Sequence, residues 1–242
     1  MQTKPFTKII AGIENRDVDK VLLVLSSAAF CGVEAVDLCD DQEIIKLAKQ
    51  RLHGSRTKLF VSSLEARKLI QAAKLGADFL ELGNYDHLYP QGLKVEPKEI
   101  IASAQDVLDS GLDNLCVTIP GYLGHNEQAD LAKALYEMGV QMLQTEGGSV
   151  LEAKFAGSIG HIEKAKHTLA NTLELRRACP EAKILAAGGL SNITAPMAVI
   201  AGANGIGIGK MVNKLTSEIE MIASIKLVQE SLKAIRETVG SF

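Results

Sequence analysis

Tryptophan is absent from this 242-residue chain, and aromatic residues together make up only 4% of it. Lys and Arg (26) nearly balance Asp and Glu (29), giving a net charge of −3 with the basic residues scattered. A nucleic-acid surface needs a basic stripe with interleaved aromatics, so a nucleic-acid partner is not expected. The four cysteines, Cys31, Cys39, Cys116 and Cys179, form no CxxC pair. They read as small apolar residues rather than as ligands or disulfides. No apolar run approaches the roughly 20 residues of a membrane span, and residues 1–5 carry no apolar core. No membrane partner and no signal peptide are therefore expected, and the location reads as cytoplasmic or organellar. The hydrophobic fraction of 47% and charged fraction of 23% are those of an ordinary globular protein and exclude disorder.

Glycine, at 21 residues, is well represented and strategically placed. Gly32, Gly54, Gly76, Gly111, Gly139 and Gly202 each close a helix-period stretch and precede a short apolar run. That junction recurs in βα units, because the residue after a helix often takes positive φ. Eight strands are read at residues 8–13, 35–39, 59–62, 79–83, 115–119, 142–146, 184–187 and 205–209, each followed by a helix. Ser62 with Glu65 is read as a capping box, and Pro180 as the stop of the sixth helix. Eight such units in a chain of this length predict a single (β/α)8 barrel domain over residues 1–242, without linker or second domain.

Alternation within the strands assigns their faces. Val36, Leu38, Leu80, Leu82 and Leu143 belong to the dry face under the helices. Asp37, Glu81, Gln144 and Glu146 then point into the barrel from even-numbered strands, as do Ser62 and Thr118 from odd ones. Buried carboxylates must be hydrogen-bonded, paired or bound to a cation. Asp37, Glu81 and Glu146 are thus candidate catalytic groups, working as general base or holding Mg²⁺ through oxygen ligands; the other reading is a structural network. Glu146, ending the sixth strand at the catalytic face, is the first choice. No nucleotide motif and no dedicated metal site are read.

The second candidate is an anion site. Gly188, Gly189 and Ser191 follow the seventh strand, and Gly207, Gly209 and Lys210 lie at the eighth. Loops after these two strands often bind phosphate in barrels, through backbone N–H groups and the end of a short helix. The other reading of the same glycines is relief of crowding where the barrel closes, and the phosphate reading is preferred because they recur at both strands. His87, His125 and His161 are weaker candidates, and His53 and His167 read as plain helix residues. Lys8, Lys58 and Lys183 are placed at strand starts on the face opposite catalysis. With no interior mid-strand lysine read, imine chemistry is not expected, and Lys154 and Lys210 on the catalytic-face loops are the remaining candidates for it.

Several motifs together carry a family resemblance. They are Gln144-Thr145-Glu146-Gly147-Gly148, Ile162-Glu163-Lys164-Ala165, Gly189-Leu190-Ser191, Thr194-Ala195-Pro196-Met197 and the Gly205/Gly207/Gly209 run with Asn213. They resemble the family of hypothetical chloroplast reading frame twenty-three, found in algal plastids and cyanobacteria. The resemblance implies a barrel and a cyanobacterial cytoplasm or plastid stroma, and it brings no established reaction. One departure is Gly188, where a serine is expected, which leaves backbone donors alone at that point. The functional expectation is a barrel that binds a small phosphorylated metabolite and acts on it as an isomerase, epimerase or lyase. The alternatives are a non-catalytic ligand-binding or regulatory barrel and an interaction protein. A homo-oligomer is compatible with each.

Overall fold

Eight strands pair in sequence order, all in parallel, and β8 returns to β1 to close the barrel. The computed structural model describes residues 4–140, 142–147 and 153–239, excepting the side chains of 87, 234 and 236–239. The strands are β1 (Phe6–Gly12), β2 (Ala35–Cys39), β3 (Lys58–Ser63), β4 (Phe79–Leu82), β5 (Leu115–Ile119), β6 (Met142–Thr145), β7 (Lys183–Ala187) and β8 (Gly205–Ile208). The helices are α1 (Val18–Cys31), α2 (Gln42–Arg51), α3 (Ala66–Lys74), α4 (Pro97–Asp109) and α5 (His125–Glu137). They continue as α6 (Gly157–Ala178), α7 (Ala195–Ile200), α8 (Lys210–Asn213) and α9 (Glu218–Val239).

Local chemistry sets the helix ends. Asp17 accepts from the Lys20 N–H, and Asp41 accepts from the N–H groups of Glu43 and Ile44, so α1 and α2 start on satisfied donors. Gly32 closes α1 at φ 62°, returning its N–H to Ala28 and Ala29. The capping box expected from Ser62 does not form. Ser62 is inside the barrel, and Ser63 Oγ instead accepts from the Glu65 N–H at 3.1 Å. Helix α6 begins at Gly157, earlier than its apolar pattern suggests, so His161 lies within it. Gly148 falls outside the described residues.

Two cores result from the strand alternation. Val36, Leu38, Leu80, Leu82 and Leu143 join the large core between sheet and helices. Ala35, Phe60, Cys116, Met142 and Leu185 form a smaller one within the barrel, with Phe6 and Phe79 packed against it. Phe60 stacks on Phe79 at 4.7 Å and meets Phe6 edge-on at 6.1 Å. This apolar floor closes the N-terminal end of the barrel, and the polar residues lie above it. Among the described residues no helix is long and apolar enough to cross a membrane.

Candidate active site at the mouth of the barrel

Strand β1 begins two residues before the predicted start, and that extension changes the site. Lys8 is not at a strand start on the stability face: it is the third residue of β1, shares the inward parity of Phe6, and is fully buried. Its ammonium pairs with Glu81 and lies 4.8 Å from the centre of the Phe60 ring. The expectation that no interior mid-strand lysine exists is therefore corrected. Lys58 and Lys183 do sit exposed at the first positions of β3 and β7.

Each of the first six strands gives the barrel interior one polar residue: Lys8, Asp37, Ser62, Glu81, Thr118 and Gln144. Ser62 donates to Asp37 at 2.5 Å, Gln144 donates to Glu81 at 2.6 Å, and Thr118 donates to Glu81 at 3.4 Å. Asn84, just beyond β4 at φ 72°, adds a 2.7 Å bond to Glu81. Burial works against a charged Lys8, but Glu81 and Asp37 outweigh it and raise its pKa. A lysine held protonated in this way is an electrostatic partner and not a free nucleophile. Burial and the neighbouring Glu81 push Asp37 up to about 7, against the pull of Lys8. One Asp37 oxygen and the Gln144 oxygen have no protein partner among the described residues. The cation beside Glu81 is Lys8, and no group of three or more His, Cys, Asp or Glu among the described residues could hold a metal ion.

Glu146 stands apart from Asp37 and Glu81. It follows β6 and is 5% exposed. Its carboxylate turns to the loops after β4 and β5, accepting from the Tyr89 hydroxyl, from the Asp86 N–H at 2.9 Å and from the Gly121 N–H at 3.3 Å. Asn171 of α6 fixes its backbone by donating to the carbonyl at 2.9 Å. Burial is the main cause that pushes Glu146 up to about 7, with Asp86 adding to it. Beside it opens a cavity of about 280 Å³, lined by Tyr89, Lys94, Gly121, Tyr122, Gly147 and His167 among others. His167, expected to be a plain helix residue, is thus on the cavity wall. Tyr89 had a signal in the sequence, since the loop after β4 concentrates Tyr85, His87, Tyr89 and Pro90; Lys94 and His167 had none.

The glycines divided unexpectedly. Gly188 and Gly189 take φ of 105° and 67°, and a Cβ there would fall 2.6 Å from the Gly147 nitrogen and 2.5 Å from the Lys164 oxygen. Close packing of the β6 and β7 loops on α6 explains both. Inside the barrel, a Cβ on Gly207 would meet Ala187 and Ile10 at 3.0 Å. Ser191 is buried, taken up in bonds to Thr194 and the Ile193 N–H. Only Gly209, at the start of α8, has ordinary van der Waals space, and Lys210 beside it is exposed.

The comparisons agree with this architecture. A solved 3-hexulose-6-phosphate synthase from Salmonella typhimurium superposes with a TM-score of 0.65 at 14% identity, covering 95% of this chain and 99% of that one. KGPDC from Streptococcus mutans, solved in complex with D-R5P, gives 0.67 at 12% identity over 96% and 99%. At such identities the likeness concerns the fold. The uncharacterised protein ycf23 of Porphyra purpurea is 31% identical over 228 residues, 94% of this chain and 84% of the relative. Residues 1–238 match the family model described as protein of unknown function DUF561, and the chain belongs to that family.

Proposed function

We propose that this barrel binds a small phosphorylated metabolite at its C-terminal face and acts on it as an isomerase, epimerase or lyase. The observation that carries the reading is Glu146. It is a buried carboxylate at the mouth of the barrel, beside a cavity, with its pKa near neutrality. A general acid–base works best with a pKa near the operating pH, and such tuning concentrates at functional sites. Support for the phosphorylated substrate comes from a structural neighbour named for a hexulose phosphate. Further support is the space at Gly209, beside Lys210 and the first N–H groups of α8. In the cell the reading fits a cyanobacterial cytoplasm or a plastid stroma.

Phosphate binding by the parent and by Gly209→Val tests the anion site. Loss of binding with an unchanged circular dichroism spectrum is expected. Equal binding would assign the glycines to packing and remove the phosphate from this face. A second reading, an interaction protein, is favoured by the exposed Leu93, Phe155 and Ile159 on the segments after β4 and β6. It requires self-association or a partner complex, and a strictly monomeric protein in sedimentation equilibrium would leave it without its oligomeric form.

A further inference from the structure

The cavity beside Glu146 is built from the loops after β4, β5 and β6 and from α6, with no residue of the β7 and β8 glycine loops among those lining it. No Asp or Glu among the described residues lines it, whereas Lys94 and His167 both do. Tyr89 and Tyr122 meet edge to face at 5.3 Å, and the Lys94 ammonium lies 4.9 Å from the centre of the Tyr122 ring. The Tyr122 hydroxyl is committed to the Val95 carbonyl, which leaves Tyr89 as the phenol coupled to a carboxylate.

We propose that Tyr89 is the catalytic residue that exchanges a proton with the substrate in this cavity, with Glu146 behind it as the proton store, and that Lys94 and His167 hold a carboxylate of that substrate. The substrate class is then a phosphorylated hydroxy or keto acid, with its phosphate toward Gly209 and its carboxylate here. The proposal rests on the enzyme reading above and names the substrate class and reacting groups of that site.

The geometry gives a relay in one direction at a time. Tyr89 donates to Glu146 and its oxygen accepts from the Gly121 N–H, which leaves its second lone pair to accept from a substrate hydroxyl. As the substrate O–H bond breaks, its proton passes to the Tyr89 oxygen and the Tyr89 proton passes to the Glu146 carboxylate. The electron pair stays on the substrate oxygen, Glu146 ends neutral, and the reverse transfer restores the start. Only protons move, so the relay suits redox-neutral isomerisation or carbon–carbon cleavage. Tyr89 itself stays a phenol throughout, because burial and then the Glu146 charge raise its pKa. The groups facing Glu146 are Tyr85, Asp86 and Tyr89 from the loop after β4, Tyr122 from the loop after β5, and the uncharged Asn171 of α6. None of these is a cation, so among the described residues none of these neighbours holds the carboxylate ionised through the neutral range.

The test uses the whole chain, labelled with ¹³C at tyrosine Cζ and ¹⁵N at the amides, with glycolate as the probe. Glycolate supplies one hydroxyl for Tyr89 and one carboxylate for Lys94 and His167. The resonance removed by Tyr89→Phe is expected to titrate with a midpoint of about 7 in the parent and to be flat in Glu146→Gln. Glycolate is expected to shift the amides of Gly121, Tyr122 and His167, and to bind about tenfold more weakly to the Lys94→Ala/His167→Ala protein. A Tyr89 resonance that does not titrate in the parent overturns the relay. Glycolate that leaves those three amides unmoved overturns the carboxylate site. Either failure is distinct from failure of the phosphate reading, which the Gly209→Val comparison reads separately.

Discussion

Lys8 shows how much one residue can decide. Its ammonium and the Glu81 carboxylate are both fully buried, and each is costly to bury without the other. Removing one partner leaves an uncompensated charge, and Lys8→Met is expected to cost about 3–5 kcal/mol, read from the urea midpoint at unchanged slope. Adding Glu81→Gln to Lys8→Met should return part of that loss, since the amide needs no counter-charge. If the double variant is no more stable than Lys8→Met, the pair does not stabilise through charge compensation. The outcome also bears on chemistry. A lysine that serves only as the counter-charge of Glu81 is replaceable in this way, whereas one that reacts with substrate is not.

At the scale of elements, Gly207 argues that β8 is shaped by packing. Gly207→Ala places a methyl 3.0 Å from Ala187 and Ile10 within a filled interior, and a loss of about 1–3 kcal/mol is expected from overpacking. An unchanged melting temperature would mean that the barrel has slack there. The same elements show what was legible beforehand. The strand parity was readable because Asp37 and Glu81 alternate with Val36, Leu38, Leu80 and Leu82, and burial on opposite faces leaves a period-two trace. The barrel was readable because glycine marked the helix ends. Lys8 was misread because a charged residue near the start of a run resembles a strand boundary. Only its parity with Phe6 marks it as inward, and only its pairing with Glu81, 73 positions away, makes burial affordable. The cavity was illegible for a related reason. Tyr89, Gly121, Glu146 and His167 come from four separate segments, and no local pattern records that three loops and α6 will converge.

For the whole molecule, the two raised carboxyls predict an unusual pH dependence. Asp37 and Glu146, both pushed up to about 7 chiefly by burial, titrate near 3.8 and 4.5 in the unfolded chain. Between those limits the folded state binds more protons than the unfolded state, so stability falls as pH rises. Their contribution is fully present below the unfolded pKa values and is lost as pH climbs through about 7. At about 1.4 kcal/mol per unit, the Glu146 shift alone corresponds to about 3 kcal/mol. Asp40 works in the opposite sense: despite some burial, bonds from Ser63 and Arg16 lower its pKa, and that stability disappears only as pH falls below the ordinary carboxylate range. Lys8, raised by Glu81 and Asp37, gives stability that is lost only above its ordinary value of 10.5. From about pH 5 to about pH 8 the buried acids therefore dominate, and the melting temperature should decline across that window. Glu146→Gln should flatten the decline, because its amide carries no proton to lose, and Asp37→Asn should flatten it further. A parent protein whose melting temperature rises from pH 5 to pH 8 would count against raised carboxyls in the fold, and Glu146 would then lack the near-neutral pKa that suits it to exchange protons through Tyr89.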